Sequence, residues 1–242
     1  MRDGAALAVL LHSPLVGPAT WRGVASAFEG MGVGCVVPSL LWVPTGGARY
    51  WDRVAGAVKA AVGATGHPLV LIGHSGIGPA LPRIGAEFRR VAAYVFVDAS
   101  LPTVGGSWLA SMPVSMQERV RDGELTHVPN MWQHEATWRQ VGIVDGATVA
   151  ALRTEARSLP VELFGESFGG PEDWSERAPA GYLAFEPNAF YSPVVAEAQE
   201  RGWTVRTLPG SHFHMVVDAP AVAEALIELL AEMGVDVRAR AE

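Results

Sequence analysis

The chain has 242 residues, 49% of them hydrophobic and 18% charged, which excludes a disordered chain and fits one large domain around a single core. A net charge of −7, with no Lys/Arg cluster beyond short pairs such as Arg89-Arg90, argues against a nucleic-acid or anionic-membrane surface. The single cysteine, Cys35, lies between apolar neighbours and excludes a disulfide framework or a cysteine-rich metal site. The N-terminal apolar run, 5–11, is short for a signal peptide and no small-x-small cleavage site follows it. No apolar stretch reaches the roughly 18 residues of a membrane span. The expectation is a soluble, cytoplasmic protein that makes no nucleic-acid or membrane contact. Its oligomeric state is left open, with a homodimer among the options.

Short apolar runs alternate with helical patterns along the chain. Strands are expected at "ALAVLLH" (6–12), "GCVVPS" (34–39), "PLVLIG" (68–73), "VAAYVFVD" (91–98), "GYLAFE" (181–186) and "WTVRTLP" (203–209). Helices are expected near 18–30, 48–64, 77–88, 190–201 and 219–233. The strands do not alternate apolar with polar, as happens when helices cover both faces of a parallel sheet. Six such strands joined by crossovers give an α/β fold with a doubly wound, mostly parallel six-stranded sheet. Residues 103–178 break the rhythm: they hold Trp108, Trp132, Trp138 and Trp174, several prolines and helical stretches, but no convincing strand. They are too long for a plain loop and read as a helical cap over the strand ends, on a core formed by 1–102 and 179–242. The terminal "VRARAE" is expected to be a frayed tail.

Three stretches carry chemistry. In "LIGHSGIGPA" (71–80), Ser75 follows a buried strand and precedes a helical stretch, the context of a nucleophile turn written G-x-S-x-G. Gly73 fits that pattern; Ile77 stands where its second glycine belongs, with Gly76 and Gly78 on either side. The alternative for Ser75 is a capping serine at a helix start. In "LPGSHFHMVVDAP" (208–220), His212 and His214 are candidates for the general base that a serine nucleophile needs. An H-x-H pair could bind a metal, but no third ligand accompanies it at a recognisable spacing, so no metal is expected. His67 reads as a residue of a surface turn, while His127 and His134 belong to the cap, facing solvent or, with Trp132, lining a substrate pocket. In "LLHSPLVGPATW" (10–21), the loop after the first strand is placed to supply an oxyanion donor beside the N–H of Gly76.

Together these stretches resemble the α/β-hydrolase superfamily, and within it the plant methyl esterase and hydroxynitrile lyase branch. The resemblance rests on His12, Ser13, Gly17 and Trp21 after the first strand, G-H-S at the turn, "VFVDASLP" before the cap, and Ser211, His212 and Met215 in the terminal loop. It covers nearly the whole chain and is weakest in the cap. It implies Ser75 as nucleophile and His212, rather than His214, as base. Two departures stand out. The branch usually takes an oxyanion donor two residues after the loop histidine, where this chain has Pro14, which has no N–H. Leu15 N–H, the Ser13 hydroxyl or Gly76 alone must then serve. The branch also places an Asp after the penultimate strand, where "FEPNAFYSP" has Asn188 and Ala189. The acid that orients the histidine is therefore expected at Asp98, with Glu186 as the alternative.

The reading is a cofactor-free serine hydrolase of a small or medium hydrophobic ester, lactone or thioester. Ser75, His212 and Asp98 or Glu186 would do the chemistry, and Gly76 with His12, Ser13 and Leu15 would hold the oxyanion. Two alternatives remain. One is a lyase, eliminase or cyclase using the same Ser-His pair without an acyl-enzyme; the other is a non-catalytic ligand-binding protein on the same fold.

Overall fold

The computed structural model describes residues 4–238. Its strands in chain order are β1 (Leu7–Leu11), β2 (Cys35–Val36), β3 (Leu69–His74), β4 (Val91–Val97), β5 (His127–Val128), β6 (Leu159–Pro160), β7 (Ala180–Glu186) and β8 (Thr204–Pro209). Six form one sheet in the order β2-β1-β3-β4-β7-β8, and every pairing in it is parallel. The remaining two, β5 and β6, make a small antiparallel pair inside the insertion, where the sequence led us to expect no strand. Each is only two residues long, too short to leave a periodicity in the sequence.

The unbroken apolar strands bury both faces of the sheet. Val9 and Leu11 of β1, with Leu69 and Leu71 of β3, pack under the helix Tyr50–Val62 on one side. Ala8, Leu10, Val70 and Ile72 point the other way, towards the helices Arg22–Gly30 and Ala219–Glu232. Alternate residues of one strand thus feed two separate cores, which is why no polar face remains. The edge strand β8 is only half-buried and reads as more polar.

The topology places the site. β3 lies between β1 and β4, and β4 lies beside β7. The loops leaving the carboxyl ends of these four strands therefore converge at one rim, where ligands of open parallel sheets bind. Over that rim the insertion contributes short helices, among them Trp108–Ser111, Glu135–Gln140 and Gly146–Glu155. Most of the terminal "VRARAE" lies outside the described residues. Its Arg238 pairs with Val33 in an antiparallel bridge, so that part of the expected frayed tail is held.

Candidate active site

Ser75 sits at the junction between β3 and a 3-10 turn, Ser75–Ala80, that continues into the helix Leu81–Gly85. Pro79 explains the tight turn, since it has no N–H for a bond to Ser75 and its ring would strike that carbonyl in an α-helix. The Ser75 backbone is left-handed, φ +61°, a conformation that costs a non-glycine residue of order 1–3 kcal/mol. The displaced glycine has its own explanation. A Cβ at Gly78 would collide with the Ser100 carbonyl and come within 3.0 Å of the Ala99 methyl, so the close approach between turn and sheet occurs at Gly78. Ile77 is free to be bulky and is fully buried.

His212 lies in the loop after β8. Its Nδ1 is 2.7 Å from Asp98 Oδ2 and its Nε2 is 3.0 Å from Ser75 Oγ. A carboxylate only accepts, so Nδ1 carries the hydrogen and the Nε2 lone pair faces the serine hydroxyl. Asp98 follows β4, fully buried, also with a left-handed backbone (φ +42°). The Asn188 amide donates to Asp98 Oδ2 at 2.6 Å, and Phe185 N–H lies 3.5 Å from Oδ1. Among the described residues only Arg49, Ser75 and Asp98 are non-glycine residues with positive φ, so two of the three strained positions belong to this line. Glu186 is elsewhere: it is exposed, ends β7 opposite Pro209, and is not a partner of His212. The alternative of Glu186 as the orienting acid is corrected. The cause is topological, since the residue after β4 points between β7 and the His212 loop while Glu186 continues its strand outward.

His214 starts the short helix His214–Val217 and packs against Phe185 and Gly210 rather than Ser75. His67 and His127 are exposed. His134 is also exposed, at the start of the helix Glu135–Gln140, the solvent-facing one of its two expected places. Trp132 does reach the site, with its ring centroid 6.2 Å from that of His212.

The loop after β1 approaches Ser75 from the other side. A Cβ at Gly76 would come 3.3 Å from Ser13 Oγ and 3.0 Å from the Trp108 ring, so both side chains close over that glycine. Trp108 Nε1–H donates to the Gly76 carbonyl at 2.8 Å. Leu15 N–H lies 3.5 Å from Ser13 Oγ, a distance too long to occupy that donor fully. His12 is corrected as an oxyanion donor. Its Nδ1–H donates to the Ser13 carbonyl at 2.8 Å and its Nε2 accepts Leu40 N–H at 3.0 Å, so both ring nitrogens are spent on the scaffold. Burial pushes its pKa down to about 4, and it stays neutral.

Sequence reasoning missed three residues here. His74 Nε2–H donates to the His212 carbonyl at 2.8 Å, and burial holds its imidazole well below the usual histidine range. Asn188 holds Asp98. Tyr191 stacks on His212, centroids 5.3 Å apart and planes 19° apart, with its hydroxyl 3.4 Å from Ser75 Oγ. Asn188 and the carboxylate after β4 become neighbours only through the strand order, so the sequence alone carried no signal for the pairing. Nothing in the sequence singled out Tyr191.

The insertion grips both flanks. Asn130 Nδ2 donates to the Leu15 carbonyl and to the Arg157 carbonyl, while Glu155 accepts Ala19 N–H at 2.7 Å against a glycine, Gly17, that leaves room for it. On the histidine side Trp132 and Trp138 pack on Phe213, and Ser211 Oγ–H donates to the Val141 carbonyl. Trp108, Trp138 and Trp174 are buried as core. Among the described residues no group of three His, Cys, Asp or Glu side chains could hold a metal, and no helix is long and apolar enough to cross a membrane.

The architecture is the α/β-hydrolase fold. It is shared with an extracellular α/β-hydrolase from a Paenibacillus species, described as having structural and functional homology to tobacco salicylic acid binding protein 2 (18% identity, 93% of this chain and 98% of that one, TM-score 0.70). A pyrethroid hydrolase (16%, 94% and 98%, 0.69) and tomato methylketone synthase I in complex with 2-tridecanone (16%, 95% and 99%, 0.66) are also similar. No family model matches the sequence, and the search of curated proteins returned no match.

Proposed function

We propose that the protein is a serine hydrolase acting on a hydrophobic ester, lactone or thioester. The observation that carries the reading is the unbroken line from Ser75 Oγ to His212 at 3.0 Å and on to Asp98 at 2.7 Å, with the serine raised on a left-handed turn. In this reading His212 takes the hydroxyl proton as Ser75 attacks the carbonyl carbon, and the buried Asp98 carboxylate stabilises the imidazolium and fixes its plane. The new oxyanion faces Gly76 N–H, one of the first-turn donors that have no partner within the helix, with Leu15 N–H and the Ser13 hydroxyl across from it. His212 then protonates the leaving oxygen, and water, activated by the same imidazole, releases the acid. Three fold neighbours are described as hydrolases or as a methylketone synthase, which agrees with hydrolase-type chemistry on this scaffold.

A second reading has one observation in its favour. Pro14 removes a backbone donor from the oxyanion side, which would weaken acyl transfer more than a proton-shuttling lyase reaction. A fluorophosphonate probe followed by intact mass tests the first reading. We expect one adduct on the folded protein, absent in Ser75→Ala, together with release of p-nitrophenol from short esters. No adduct on folded protein overturns it; an adduct without ester turnover moves the weight to the lyase.

A further inference from the structure

We propose that Tyr191 is a further catalytic residue, donating a hydrogen bond to the oxygen that leaves the tetrahedral intermediate while His212 protonates it. The proposal rests on the serine-hydrolase reading above.

Ser75 Oγ has two polar side-chain neighbours, His212 Nε2 at 3.0 Å and the Tyr191 hydroxyl at 3.4 Å. Their rings lie almost parallel, so the two groups reach Ser75 from the same side. The leaving oxygen must come within reach of His212 Nε2 to be protonated, and the phenol is set beside that place. At 3.4 Å the hydroxyl is close to Oγ without being tied to it, so it can turn to a substrate oxygen at little cost.

The phenol is held for this use. Tyr191 is buried, its N–H donates to the Asn188 carbonyl at 3.2 Å, and the Asn188 side chain holds Asp98. Asn188 thus ties Tyr191 to Asp98, the partner of His212. Burial pushes the phenol up to about 12, opposed by its contacts with Ser75 and Ser100, so it carries its proton throughout the neutral range.

In the step itself the bond from the acyl carbon to the leaving oxygen breaks and its electron pair goes to that oxygen. The proton comes from His212 Nε2, and Tyr191 keeps its own, stabilising the developing charge by a hydrogen bond. The contribution must grow with the basicity of the leaving oxygen.

Tyr191→Phe keeps the stacked ring and removes only the hydroxyl. Across one acyl group carried on p-nitrophenol, phenol and a simple alcohol, we expect kcat/KM to fall by about tenfold or more for the alcohol and by less than about twofold for p-nitrophenol. Fluorophosphonate labelling of Ser75 should persist in the variant. An equal loss across all three esters, no loss at all, or loss of labelling in a variant that melts normally overturns the role of Tyr191. Absence of labelling in the wild-type protein overturns the serine-hydrolase reading, and this proposal with it.

Discussion

The carboxyl ends of β4 and β7 lie side by side in the sheet yet carry opposite chemistry. After β4 the chain turns through Asp98, fully buried, left-handed and bonded to His212. After β7 it passes through exposed Glu186 to Asn188, whose amide donates to that same carboxylate. One strand end supplies the charge and its neighbour supplies a neutral donor that stabilises it. Two carboxylates there would repel across a buried contact, so an amide opposite an acid is the compatible pair. The two strand ends thus meet at Asp98 Oδ2, which accepts from both Asn188 and His212.

Exchanging the two ends puts the largest effect on this comparison. Asp98→Asn should lower kcat/KM by roughly 10³–10⁴-fold, because the amide can present an N–H to Nδ1 and force the wrong tautomer. Adding Asn188→Asp to that variant returns a carboxylate to this pair of strand ends, and part of the loss should be recovered. Ester turnover by the single and double variants measures this. A double variant no better than Asp98→Asn would mean that only the β4 end can orient the histidine.

How far this arrangement could be read beforehand follows from how each part is encoded. The inner strands β1, β3, β4 and β7 were legible because burial on both faces leaves apolar runs that neither loops nor surface helices share; the half-buried edge strands β2 and β8 left weaker runs. The positions of Ser75 and His212 after strands were legible once β3 and β8 were placed. Asn188 and Tyr191 were not, since their meaning depends on β4 and β7 being neighbours, a long-range fact. The insertion was legible only as helical. Its Asn130, Glu155 and Arg157 act by gripping carbonyls and N–H groups of distant loops, including Leu15, Ala19 and Leu40, and such contacts leave no periodicity. Gly78 sharpens the point: a fixed motif asks for glycine at the position of Ile77, whereas the packing needs it one residue later, where Ser100 and Ala99 press on the backbone.

A smaller effect concerns the other side of the nucleophile. His12, neutral and buried, contrasts with His212, which must gain and lose a proton in the proposed reaction. Burial lowers His12 from 6.5 to about 4, so between these values the unfolded chain binds a proton that the folded chain refuses. Its contribution to stability is complete above about pH 6.5 and is lost as pH falls towards 4. His74, lowered by burial as well, adds in the same direction. Tm measured from pH 7 to 4 should fall steeply. His12→Gln should flatten that fall in part, because Gln can still accept Leu40 N–H but has no proton to refuse. An unchanged slope would mean that His12 is not the group responsible.

The smallest effect is expected at Glu186, and it tests the β4–β7 contrast from its silent side. The Glu186 backbone has work to do: its carbonyl accepts Gly210 N–H at 2.9 Å and helps place the His212 loop. The exposed carboxylate has no part in the line to Ser75. Glu186→Gln keeps the backbone bond and removes only the charge, so kcat/KM should stay within about twofold and Tm within the small range of surface substitutions. A large loss of turnover with unchanged Tm would show that the carboxylate at the β7 end acts on His212 after all. Asp98 and Glu186 would then have to share the orienting role proposed for Asp98.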